Sequence, residues 1–144
     1  MSDYTERWRP PAWWWLLGLG LSVGAAAELH AGADGWRAVL PYLLLPPLAL
    51  GALLHLTRQE VRVENGQLHV PGARAPLSAF GPPQVLDKKA LQQWRGPRAH
   101  RDAWVRVRPW FRGAVLLPMT DPDDDTPYWL IGSRRPEQLA AALT

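Results

Sequence analysis

Hydrophobic and polar positions divide this chain into two unlike parts. No charged residue occurs between Ala12 and Ala27, and none between Ala38 and Thr57. Beyond Thr57, short alternating runs are broken repeatedly by Gly and Pro. A helix rises about 1.5 Å per residue, so about 20 apolar residues cross a hydrocarbon core of about 30 Å. Two spanning helices are therefore expected, over residues 12–29 and 38–56, with Glu28, Asp34 and Arg37 in a ten-residue connection at 28–37. Pro10 and Pro11 suit the first turn of the first helix, where a missing N–H costs nothing. Trp13, Trp14 and Trp15 point in different directions around a helix and suit a headgroup boundary, where each indole keeps its N–H wet. Pro41, Pro46 and Pro47 must kink the second helix or be covered by a neighbour. Gly20 and Gly24, extended by Ala27, form a small surface on which the two helices are expected to pack.

The flanks set an orientation. Arg7 and Arg9 precede the first segment and Arg58 and Arg62 follow the second, so positive-inside bias places both termini in the cytoplasm of an inner-membrane, multi-pass protein. A competing reading makes the first segment a signal peptide cleaved at Ala25-Ala26-Ala27. A third buries both segments in a soluble core, but some 40 nearly uncharged residues leave no face for water.

After residue 57 the alternation becomes β-like. Val61 and Val63, then Asn65-Gly66, then Leu68 and Val70 predict a hairpin closed by a type I′ turn, with Arg62 and His69 on the opposite face. Further strands are expected at residues 73–80, 103–108, 113–119 and 128–132, and a short helix at 87–94. A closing helix begins at Pro136, with Leu139, Ala140 and Leu143 along one face. The chain thus reads as an α+β membrane protein: a tail at residues 1–11, a transmembrane helical hairpin at 12–57 and a cytoplasmic domain at 58–144. That last part is a small antiparallel β domain with a C-terminal helix, a pleckstrin-homology-like split barrel or sandwich.

Charge alters this picture little. Of 16 Lys and Arg, 13 follow Thr57, together with nine of the 13 acids, leaving the later part near +4. That is too mild, and too interspersed with acid, to predict nucleic-acid binding. Cysteine is absent, which removes disulfides, thiolate metal sites and thiol nucleophiles.

Three surfaces remain as candidates for chemistry. Trp104, Arg106, Arg108, Trp110 and Arg112 interleave aromatic rings with guanidinium groups, a pattern that binds phosphate headgroups, carboxylates or acidic peptides. If Val105 and Val107 face the core, Trp104, Arg106 and Arg108 share the other face. An exposed strand whose arginines discourage edge pairing has the same pattern. Lys88, Lys89, Arg95, Arg98 and Arg101 form a second basic group, able to face anionic lipid or simply water. Asp121, Asp123, Asp124 and Asp125 lack the spacing, glycine and distal Glu of a calcium loop, and read as a turn between Pro122 and Pro127. His30, His55, His69 and His100 are scattered. Ser78 and Ser133 have no nucleophile motif. Arg134 and Arg135 precede a helix N-terminus, where anions bind.

Four phrases, VRVENGQL at 61–68, RPWFRGAV at 108–115, TPYWL at 126–130 and SRRPEQLAAAL at 133–143, follow the Trp-rich apolar entry in order. With them the chain resembles the actinobacterial membrane-protein family known as domain of unknown function 3093, over nearly its whole length. The resemblance implies location and architecture and carries over no catalytic or ligand-binding residue. The sequence therefore predicts a non-enzymatic membrane protein without cofactor or metal, presenting a binding or scaffolding domain. Its expected partners are the lipid bilayer, anionic headgroups or another membrane protein, and not nucleic acid. An accessory subunit of a larger membrane complex is the alternative. An enzyme using Asp121, Asp123 or His69 ranks below both.

Overall fold

The two uncharged runs form the two longest helices of the computed structural model, which describes residues 3–144. Helix α1 spans Ala12–Ala31 and α2 spans Trp36–Thr57, so residues 32–35 alone connect them, fewer than expected. Both helices run into the polar stretch because its side chains find partners there. The His30 Nδ1 lies 3.1 Å from the Ala38 carbonyl, and its ring meets Tyr42 edge-on with centroids 5.9 Å apart. Gly35, at φ 65°, supplies the left-handed step of the turn. Pro41, Pro46 and Pro47 all lie within α2, which runs unbroken.

The helices pack through small residues, though not the ones expected. A Cβ on Gly18 would stand 3.2 Å from Leu53 Cδ1, and Ala26, Ala38 and Leu53 are buried. Gly18, Ser22 and Ala26 repeat every fourth residue and form the close-approach surface. Gly20 and Gly24 would meet nothing within 4 Å, and Ala27 is exposed. Two residues amount to more than half a turn of helix, so a shift of two moves the glycines to the far side. The N–H of Trp8 donates to the Gln59 carbonyl at 2.8 Å and joins the two ends of this unit, Arg7–Gln59.

A second unit gathers Glu60–Thr144 with the N-terminal residues through Glu6. Its first sheet contains β1 (Tyr4–Arg7), β2 (Glu60–Glu64), β3 (Gln67–Val70) and β4 (Ala73–Pro76), in that order. The Asn65-Gly66 turn has φ 51° and 73°, Val63 lies opposite Leu68 and Arg62 opposite His69. Val61, Val63, Leu68 and Val70 are buried on one face, as the alternation requires. Strand β1 occupies residues expected only as a tail; YTER has no apolar alternation to signal a strand.

The second sheet contains β5 (Gln84–Leu86), β6 (Trp104–Arg106), β7 (Gly113–Pro118) and β8 (Tyr128–Ser133), ordered β5-β7-β8-β6. Strand β6 runs parallel to β8, so the domain is not wholly antiparallel. Residues 107–112 cross β8 to reach β7, and the Phe111 ring fills the place where a Cβ on Gly132 would stand. The strand expected to reach Phe80 ends at Pro76, with a short helical turn at Leu77–Ala79 and a lone bridge from Phe80 to Met119. Helix α3 (Lys88–Arg95) places Leu91 against Leu86, Ala114, Leu116, Tyr128 and Leu130. Helix α4 (Pro136–Leu143) buries Leu139, Ala140, Ala142 and Leu143, each leucine contributing about 1.5–3 kcal/mol. Two long apolar paired helices, two sheets and a closing helix make an α+β chain.

Candidate functional site

The register of the second sheet levels three strand ends. Leu86 at the end of β5 lies opposite Ala114, and Gly113 at the start of β7 lies opposite Ser133 at the end of β8. The residues just beyond emerge together: Asp87 and Lys88, Arg112, and Arg134. With Val85, Leu86, Trp110, Gly113, Ser133, Pro136 and Glu137 they line a cleft of about 430 Å³.

Local chemistry holds each wall in place. The Asp87 carboxylate accepts from the Ala90 N–H at 2.7 Å, capping α3 and turning the chain so that Lys88 enters its first turn. Pro136 starts α4 with its φ already set, and Arg135 before it supplies no side-chain cap. Gly113 lets Pro136 approach, since a Cβ there would stand 3.0 Å from Pro136 Cγ.

Behind this wall lies a carboxylate that the sequence did not mark. Glu6 is only 4 % exposed and accepts from the Ser133 hydroxyl at 2.5 Å, the Arg134 N–H at 2.8 Å and the Tyr4 hydroxyl at 2.9 Å. The Ser133 oxygen in turn accepts from the Arg135 N–H at 2.9 Å. The Arg135 guanidinium lies 5.9 Å from the Tyr4 ring centroid. Burial, reinforced by the neighbouring Glu6, pushes the Tyr4 hydroxyl up to about 12. Ser133 is thus a bridge in a buried network. A short polar strand gives no signal for such a role, because its partners lie 127 and 128 positions away.

Of the five residues singled out from the sequence, two line the cleft and three do not. Trp104 stacks on Trp129 with centroids 4.4 Å apart, and Arg106 lies 5.3 Å over the Trp104 ring, close to Gly72. Val105, expected to face the core, is exposed, because β6 is an edge strand whose Trp104 takes the packed position against β8. Arg108 lies in the crossing segment and its carbonyl accepts from the Phe111 N–H. Trp110 and Arg112 alone of the five reach the cleft. Lys88 joins them from the second basic group and Arg134 from the helix entry, whereas Lys89, Arg95, Arg98 and Arg101 do not line it. Arg98 lies instead 5.9 Å over the Trp94 ring. In the acidic stretch, Asp121 accepts from the Asp123 N–H and Asp124 from the Thr126 N–H. The hydrogen bonds from Thr126 lower the Asp124 carboxyl.

Charge in the cleft is unevenly balanced. Three cations and two carboxylates line it, and the Asp87 carboxylate is already engaged in its cap. Among the described residues, neither Lys88 nor Arg112 takes part in an ion pair.

No curated protein and no solved structure matches the chain. Residues 3–143 match the family described as protein of unknown function DUF3093, and the chain belongs to that family.

Proposed function

We propose that this is an inner-membrane protein whose helical hairpin holds a non-catalytic binding or scaffolding domain at the cytoplasmic face. The observation that carries this reading is apolar surface left open along both helices. Leu16, Leu21, Leu43 and Leu48 are 77, 65, 65 and 69 % exposed. Water does not favour such a surface, and a hydrocarbon core does. The helices, of 20 and 22 residues, extend about 30–33 Å, enough to cross it. Exposed Trp13 and Trp36 mark the first turns of the two helices, suiting opposite boundary belts.

Both ends of the hairpin lead into one folded unit, since β1 before α1 and β2 after α2 are neighbours in one sheet. This favours termini on one side of the membrane, and Arg7, Arg9, Arg58 and Arg62 favour the cytoplasmic one. It also argues for retention of the first segment, because cleavage after Ala27 removes Glu6 and its strand. Two four-stranded sheets with a C-terminal helix fit a pleckstrin-homology-like domain, from which the parallel β6–β8 pair departs.

The chain has no cysteine, so single ones report topology cleanly. An Asp34→Cys variant is expected to react with an impermeant maleimide on intact cells, and Gln92→Cys only after permeabilisation. Labelling of Gln92→Cys on intact cells overturns the orientation, and recovery of the protein in the soluble fraction overturns the anchor.

A further inference from the structure

We infer that the cleft formed by Lys88, Arg112, Arg134 and Trp110 is a binding site for a phosphate ester. The inference deepens the proposed binding role and rests on it. It starts from the convergence of strand ends, which brings basic side chains from three separate segments onto one concavity. Like charges lining a cleft raise its positive potential and draw an anion, the more so because among the described residues neither Lys88 nor Arg112 takes part in an ion pair.

The volume of about 430 Å³ lies in the range of small-molecule sites, which combine apolar walls with a few converging polar groups. Trp110, Val85, Leu86 and Pro136 supply the apolar walls. A guanidinium matches phosphate oxygens two at a time and a lysine adds a point charge, so phosphate fits this set better than a single halide or a neutral polar group. The engaged Asp87 caps α3 while leaving Lys88 at the cleft, and Glu137 is then the carboxylate that limits how much negative charge the site accepts.

Two sources carry this chemistry, a phospholipid headgroup and a soluble phosphate ester. The test uses the full chain in nanodiscs of phosphatidylcholine, titrated calorimetrically with glycerol phosphate and with glycerol as the neutral control. Saturable binding of the phosphate ester alone is expected, weakened about a hundredfold in Lys88→Gln/Arg112→Gln, since each of the two charge-assisted contacts is worth about a decade. It should be retained in Lys89→Gln/Arg98→Gln, which alters basic residues outside the cleft. Both pairs are on the surface, and circular dichroism checks that the variants stay folded. Discs containing phosphatidylglycerol separate the sources. Competition with glycerol phosphate assigns the headgroup, and unchanged binding assigns the soluble ester. Absence of saturable binding, or equal binding by parent and Lys88→Gln/Arg112→Gln, overturns the site. Neither result touches the cysteine-labelling outcome, so the membrane reading stands or falls separately.

Discussion

A carboxylate as buried as that of Glu6 loses most of its hydration and must recover it from protein donors. It has three, from Ser133, Arg134 and Tyr4. Removing the acceptor strands those donors, and the Ser133 hydroxyl among them is fully buried. Glu6→Ala is therefore expected to destabilise the protein by about 2–4 kcal/mol, and Glu6→Gln, which keeps one carbonyl oxygen, by less. Thermal unfolding of the full chain in detergent measures both; an Ala variant that melts with the parent would remove the N-terminal strand from the folded unit. Nothing local distinguishes Glu6 from Asp3 or Glu28 in the sequence. Its importance comes from a pairing across more than a hundred residues, with the apolar hairpin in between, and no periodicity records that.

At the scale of elements, patterns that close locally were readable. The β2–β3 turn needed two residues with positive φ, and Asn65-Gly66 supplied them where both flanks alternate. The cap of α3 was legible in part: the helix was expected from residue 87, and Asp87 proves to be its N-cap. Pairing between distant strands was not readable. The parallel β6–β8 pair and the levelling of strand ends at the cleft depend on which strands become neighbours, so the cleft's basic residues appeared in the sequence as three unrelated groups. Helix rotation was likewise hidden, because Gly18, Ser22 and Ala26 and the pair Gly20 and Gly24 satisfy the same small-residue spacing. Substitution separates them. Gly18→Leu should overpack the contact with Leu53 at a cost of about 1–3 kcal/mol, whereas Gly20→Leu meets open space and should be nearly neutral. Melting midpoints in detergent compare the two, and equal losses would place the helix contact elsewhere.

For the whole molecule, charge and hydropathy separate a hairpin from a domain, and the contacts draw that boundary differently. The domain begins before the hairpin, at Tyr4, is interrupted by it, and resumes at Glu60. A fragment cut at the hydropathy boundary, residues 58–144, therefore leaves one edge of β2 without its neighbour and Ser133 without its acceptor. Unpaired strand edges recruit other chains, so this fragment should aggregate or elute as oligomers. The remedy is written in one bond. Because Trp8 and Gln59 already touch through their backbones, residues 3–9 can be spliced to 59–144 through a few Gly and Ser residues in place of both helices. Size-exclusion chromatography should return that splice as a monomer, a miniature of the protein without its two long apolar helices.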